Sequence, residues 1–220
     1  IKKSLKQFNG KIIFPEHHLS HAAHAFFTSP FNEAAVLTVD GVGEWSTTTF
    51  GHARNEEIEL THDIRWPHSV GLLYSAFTYF LGFKVNEGEY KLMGLSAYGK
   101  PKYYDLILDK LIDLKQDGSV HLNMEYFAFT YDKVMTNQKF SDLFGINVKK
   151  EGSPTEQIHK DIAASAQLVL EEVLLKMVNH VWHETKSKNL SFAKNIIAVS
   201  AVSITLGLDW EWLQERILTF

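Results

Sequence analysis

The chain has 220 residues, 45% of them hydrophobic, and a net charge of −4 from 22 basic and 26 acidic residues. That supplies apolar mass for a packed core and excludes a disordered tail, while the mixed charge excludes a general nucleic-acid binder, which carries a basic face. There is no cysteine, hence no disulfide framework, and no apolar run of the about 18 residues a membrane span needs, so a cytoplasmic protein is expected, with neither membrane nor nucleic acid as partner.

In chain order, residues 1–6 are basic, with no apolar segment or cleavage site behind them, so they do not read as a signal peptide. The chain opens at Ile1 without an initiator Met, and an excised segment or missing leading residues are the expectation. Residues 10–14 predict a short strand, and Pro15 is suited to the first turn of a helix over 16–28. Ser29-Pro30 stops that helix.

Residues 34–40 form a continuous apolar run, expected to be a strand buried on both faces. Gly41-Val42-Gly43 is expected to turn the chain into a second strand over 45–50, rich in threonine, and 58–64 predict a third. Together they make an antiparallel meander with turns at 41–44 and 52–57.

Residues 69–81 predict a helix that is apolar and aromatic nearly all round, which marks it as core. Residues 86–101 read as a functional loop, broken by glycines and a proline among charged residues. A helix is expected over 103–114, a turn at 117–118, a strand over 119–122 and a short helix near 138–144 within an irregular stretch, 123–153. The longest helix runs from 154–156 to about 185, with an apolar stripe from Ile158 to Val181, and 189–192 predict a last strand. No repeat or linker divides the chain, so one α/β domain is expected.

Three stretches carry residue types suited to chemistry. His17 and His21 are four apart, so on a helix they project from one face and can reach one ion. A solvated or hydrogen-bonded histidine face is the alternative. Asp40, at a strand end, is a candidate third ligand, and two histidines with a carboxylate suit iron, zinc or manganese. His18 and His24 lie off that face and read as supporting or structural groups.

Gly41-Val42-Gly43-Glu44 reads either as a hairpin turn or as a loop whose glycines let the backbone approach a phosphate. It is not a dinucleotide fingerprint, because a strand and not a helix follows. Lys91, within 89–94, could hold a phosphate or a carboxylate, or simply lie in a connection. Ser20 has histidines nearby in sequence, but neither triad spacing nor a nucleophile elbow.

Four ordered blocks give these stretches a context. Residues 16–26 with Ser29-Pro30-Phe31, residues 39–47, residues 89–95 with Tyr98-Gly99-Lys100-Pro101, and residues 160–167 with 170–173 together resemble the O-carbamoyltransferases of nodulation-factor and antibiotic biosynthesis. The resemblance implies an actin/sugar-kinase-like (ribonuclease H-like) domain, similar to the metalloprotein that threonylcarbamoylates tRNA. It implies ATP and carbamoyl phosphate converted to carbamoyl-adenylate by a separate C-terminal domain. The carbamoyl group would then pass to a hydroxyl-bearing small-molecule or sugar acceptor.

By motif, His17, His21 and Asp40 match metal ligands, with iron the ion in a studied relative. Gly41 and Gly43 match the adenylate-phosphate turn, with Glu44 and Lys91 as further cofactor-binding candidates. The acceptor is expected to be chosen by 123–153, and a homodimer stays open as the assembly. No catalytic residue is assigned.

The departures from the family pattern matter too. The family has a strand-turn-strand phosphate motif far ahead of its H-x-x-x-H, and a glycine-rich adenosine loop and a Gly-Asp ligand after its Asn-Leu-x-x-Ala strand. Here Asn189-Leu190-Ser191-Phe192-Ala193 is followed by Lys194-Asn195-Ile196-Ile197. The expected organisation is an incomplete actin-like carbamoyltransferase domain over 1–220. It comprises a metal-binding helix and lead-in (1–33), most of the second half (34–193) and an atypical tail (194–220), with frameshift, truncation and genuine divergence as its alternative origins. Alone it is expected to be inactive. A tRNA-threonylcarbamoylation-type protein and a non-catalytic remnant of the fold are the alternative readings.

Overall fold

A computed structural model describes residues 10–194. The expected start and the tail beyond 194 lie outside these residues. The described chain is a mixed α/β arrangement with helices on both faces of a four-stranded sheet, in the order β3 (Glu57–Arg65), β2 (Ser46–Arg54), β1 (Glu33–Gly43), β6 (Leu190–Lys194).

The meander is present and longer than the sequence suggests: β1 spans Glu33–Gly43, β2 Ser46–Arg54 and β3 Glu57–Arg65. The glycines do not turn the chain. Gly41-Val42-Gly43 stays extended in β1, and the turn is made by Glu44-Trp45, with Glu44 at φ 62°. Between Val39 and Gly43 the β1–β2 register breaks, so Asp40 and Gly41 leave the ladder while remaining extended.

Residues 34–40 are buried on both faces, as expected. Ala35, Leu37 and Val39 point into the main core, and Ala34 and Val36 into a smaller one on the other face. This is the two-residue alternation of a strand covered on both sides. Helix α1 (His17–Phe27) covers the smaller face through His18, Ala22 and Phe26, a stripe at four-residue spacing. Residues 11–16 form no strand, and Pro15 lies outside the helix, with Glu16 as its N-cap.

Helix α2 (Val70–Phe80) starts at the N-cap Ser69 and is buried nearly all round. Its Phe77 and Phe80 meet Phe140 and Phe144 of α5 (Gln138–Phe144), with ring centroids 4.9–6.0 Å apart. The expected loop at 86–101 contains a helix, α3 (Glu89–Ser96). Glycines and charges obscured it. Gly88 is its N-cap, Gly94 lies in open space, and the buried Glu89 carboxylate accepts from Asn86 N–H, Gly88 N–H and Ser75 Oγ.

The helix expected over 103–114 is shorter. It is α4 (Tyr104–Lys110), after which β4 (Ile112–Leu114) pairs with β5 (Val120–Leu122). Helix α6 (Gln157–Thr185) is the long one, opened by a reciprocal cap between Glu156 and His159. It carries the chain back so that β6 (Leu190–Lys194) joins β1 in parallel.

The segment after α3 is pinned to α6 by Asp161. Its carboxylate accepts from Lys102 Nζ (2.6 Å), Lys100 N–H (2.9 Å) and Gln157 Nε2 (2.8 Å). Gly99 allows the approach, since a Cβ there would lie 1.9 Å from the Lys160 carbonyl oxygen. The Lys102 ammonium, assisted by the Lys100 N–H and Gln157, holds the Asp161 carboxyl down to about 2. Because the folded value is depressed, this contact stabilises the fold above the ordinary carboxylate value of about 3.9 and stops doing so as the pH falls through about 2. Urea denaturation should therefore show Asp161→Asn less stable than wild type at pH 7, with the gap closing between about pH 4 and pH 2.

Candidate metal centre

Two elements bring the metal candidates together. The buried stripe of α1 fixes the helix on the sheet, so His17 and His21 fall on the adjoining row, beside the end of β1. Thr38 points to the α1 face, and so does Asp40 two residues later. His17 Nε2 lies 2.6 Å from Asp40 Oδ2, His21 Nε2 lies 3.4 Å from the same oxygen, and the two Nε2 atoms are 2.9 Å apart. Among the described residues this is the one group of three or more side chains with ligand atoms that close together.

Asp40 is held from both sides. Its Oδ1 accepts from Gly41 N–H at 2.6 Å. Ser69 Oγ, at the start of α2, donates towards the Asp40 and Gly41 carbonyls (3.1 and 2.6 Å). Gly71 lets α2 come this close, since a Cβ there would lie 2.5 Å from Asp40 O. Burial pushes the Asp40 carboxyl up, but hydrogen bonds from His17 and Gly41 outweigh it and hold the group below the usual carboxylate range. A carboxylate kept ionised is the form that binds cations.

The donor set fits a metal better than it fits protons. A neutral imidazole nitrogen is either a donor or an acceptor. If His17 Nε2 donates to Asp40, it has no lone pair left for His21, so three mutual contacts cannot all be hydrogen bonds. A divalent cation satisfies three convergent lone pairs at once. Tetrahedral bonds of about 2.1 Å put ligand atoms roughly 3.4 Å apart, so the trio needs only a small outward movement.

His18 has a different task. It is buried; its Nε2–H donates to Ser46 O (2.8 Å), and its Nδ1 accepts from Thr38 Oγ1 (2.6 Å), which accepts in turn from Thr49 Oγ1 (2.7 Å). Burial pushes the imidazole down, and the neutral ring fixes the direction of this chain. His18 thus ties α1 to β1 and β2 at the level of the metal candidates. His24 is exposed.

Gly43 and Gly41 differ. A Cβ at Gly43 would come within 2.2 Å of the His17 ring, so the missing side chain is the space that His17 fills. A Cβ at Gly41 would meet only Leu72, at 4.0 Å. The Gly41 N–H is engaged with Asp40. Lys91 is exposed on α3, its Nζ 5.9 Å from the Tyr90 ring centroid, and does not join the trio.

A cleft of about 740 Å³ adjoins the trio at His17. Glu44 lines it, with Glu16, Trp45, Asp63, Arg65 and Trp66 among its other walls. Residues 123–153, expected to select the acceptor, contribute nothing to its walls. Sequence reasoning missed Ser69, Gly71, Thr38, Thr49 and Trp66. Only the threonine run of β2 was a visible signal, and it read merely as strand propensity.

With the geometry in place, residues 2–205 match the family described as Carbamoyltransferase N-terminus. The chain belongs to this family. The match runs beyond residue 194, where an atypical tail was expected. The chain is 55% identical over 185 residues to the uncharacterized protein sll1178 of Synechocystis, covering 84% of this chain and 30% of that protein. It is 31% identical to the nodulation protein NolNO of Sinorhizobium fredii, over 84% of this chain and 26% of the relative. It is 27% identical to the nodulation protein NolO of Bradyrhizobium diazoefficiens, over 82% and 31%. The chain therefore spans about a third or less of the length of these relatives. No helix among the described residues is long and apolar enough to cross a membrane.

The polar tie beneath α1 is testable. Thr38→Val leaves the buried His18 Nδ1 without its donor and Thr49 without its acceptor. Urea denaturation should show a loss of about 1–3 kcal/mol, largely restored in Thr38→Ser.

Proposed function

We propose that this chain carries the metal- and donor-binding part of an ATP-dependent O-carbamoyltransferase. In this reading a carbamoyl group passes from carbamoyl-adenylate, made from carbamoyl phosphate and ATP, to the hydroxyl of a small molecule or saccharide. The observation that carries it is the convergence of His17, His21 and Asp40 on one point, in a chain of the carbamoyltransferase family. The meander β1–β2–β3, whose first strand gains a parallel partner after a helical crossover, is consistent with a ribonuclease H-like half of an actin-like domain.

His17 and His21 would hold the ion through Nε2, and Asp40 through Oδ2. Iron, zinc or manganese suits this donor set. When bound, the ion supplies Lewis acidity to a phosphate or carbamoyl oxygen. The chain's own residues set the geometry. Gly41 N–H and the backbone contacts of Ser69 fix Asp40, and the bare Cα of Gly43 admits the His17 ring. The N-terminus of α2 abuts residues 40–41, and its positive end favours a donor phosphate on that side. Glu44, a cofactor-binding candidate, lines the cleft beside His17.

The test is metal content. After incubation with Fe²⁺ or Zn²⁺ and desalting, the chain should retain about one ion, and its melting temperature should rise with added metal. His17→Ala, His21→Ala and Asp40→Asn should each lose both effects while keeping the wild-type circular dichroism spectrum. Wild-type stoichiometry in all three variants would sink the proposal.

A further inference from the structure

The segment that joins β3 to α2, residues 66–69, is fastened on three sides. Trp66 N–H donates to Trp45 O at 2.8 Å, and Thr47 Oγ1 donates to His68 O at 2.7 Å, so two ties run to the start of β2. At the other end, Ser69 Oγ accepts from Leu72 N–H (3.0 Å), which caps α2, and donates towards the carbonyls of Asp40 and Gly41. The third tie is made by a side chain. The Leu122 N–H of β5 donates to His68 Nδ1 at 3.1 Å. Leu122 is buried, so this backbone donor depends on the imidazole for its partner.

An Nδ1 that accepts must keep its lone pair, which puts the proton of the neutral ring on Nε2. Protonation places a second N–H at Nδ1, donor against donor, and the bond to Leu122 is lost. Little around the ring compensates a positive charge. His121 of β5 has its ring centroid 4.6 Å away. Asp113 of β4, across the ladder from His121, is engaged by Lys115 Nζ at 2.6 Å. From β2 comes the uncharged Thr47 hydroxyl, the first turn of α2 has no acidic residue, and Arg65 at the end of β3 is bonded to Asp63. Burial pushes the His68 imidazole below its ordinary value of 6.5, and the His121 ring adds to this. Because the folded value is depressed, the accepting form is fully present above about 6.5 and is lost as the pH falls through the lowered value.

We propose that His68 is a proton-operated latch: when neutral it fastens the β4–β5 hairpin to the entrance of α2, and when protonated it releases the hairpin and slackens the hold of Ser69 on residues 40–41. His68 and Ser69 are consecutive, so a ring that swings away from Leu122 towards water carries the cap residue with it. His68 is thus a positioning residue that acts through Ser69 on β1. The latch does not depend on Asp40 taking a metal, since none of its contacts involves a side chain of the His17–His21–Asp40 trio.

Amide hydrogen exchange of the full chain, corrected for the intrinsic pH dependence of exchange, reads the latch at Leu122 N–H and the cap at Leu72 N–H. In wild type both should lose protection about tenfold or more between about pH 8 and about pH 5, with the midpoint of the His68 imidazole titration followed by NMR. His68→Asn offers an acceptor oxygen the same number of bonds from the backbone as Nδ1 and does not titrate, so both amides should stay protected at both pH values. His68→Leu has no acceptor, and both should exchange fast throughout. Protection of Leu122 that ignores pH in wild type, a fall of equal size in His68→Asn, or a fall at Leu122 with none at Leu72 would overturn the proposal. If His68→Leu does not fold, the contrast between wild type and His68→Asn decides alone. Metal content of the same samples keeps the two ideas apart: a chain that binds no metal but shows the pH-dependent protection sinks the metal reading alone.

Discussion

The docking of α1 across the end of β1 is the contact on which the site depends. Ala22 and Phe26 supply the apolar part of that contact against Ala34, Val36 and Ala53, while His18 supplies the directional part. An apolar stripe alone lets a helix slide or rotate with little penalty, because dispersion and burial are non-directional. The bonds of His18 to Ser46 and Thr38 remove that freedom. They stand one residue from His17, so the position of the metal candidate follows from a buried hydrogen-bond chain that contains no ligand. Gly43 completes the fit by leaving room for the His17 ring.

Much of this was legible in the sequence, for reasons that can be named. The four-residue spacing of His17 and His21 is a helical period, and the run 34–40 reads as a strand buried on both faces. Asp40 closes that apolar run, but β1 continues three residues past it to Gly43, so the carboxylate lies inside the strand and not at its end. The stripe of α6 and the aromatic wrap of α2 were equally plain. What failed was local. Helix α3 reads as a loop in the sequence because Gly88, Gly94 and several charges mask its short apolar pattern, while its stability comes from tertiary contacts such as Ser75 to Glu89. The strand β4 reads as the end of a helix because Ile112 and Leu114 continue an apolar pattern that suits either structure.

The glycines illustrate a deeper limit. In sequence, Gly41 and Gly43 look equivalent and suggest a turn. In the fold, the turn falls to Glu44 and Trp45. Gly43 is a packing glycine for a ring twenty-six positions away, and Gly41 contributes an N–H to Asp40. Nothing within the stretch distinguishes these roles, since each is defined by a partner brought in by tertiary structure. The cleft was hidden for the same reason. Trp45 and Trp66 become neighbours only when the β2–β3 hairpin closes.

Asp40 joins the two halves of this picture. On one face it meets α1 through His17 and His21, and its backbone is gripped by Ser69 at the start of α2 on the other. Both helices must therefore be docked before the three ligand atoms converge. The register break after Val39 serves the same end, because a strand fully paired to Gly43 would hold Asp40 in the ladder and not let its backbone turn to Ser69. With both helices in place, two imidazoles and an ionised carboxylate stand closer together than any arrangement of protons can satisfy. The fold thereby brings three ligand atoms to a single point, and the proposed cation site rests on that convergence.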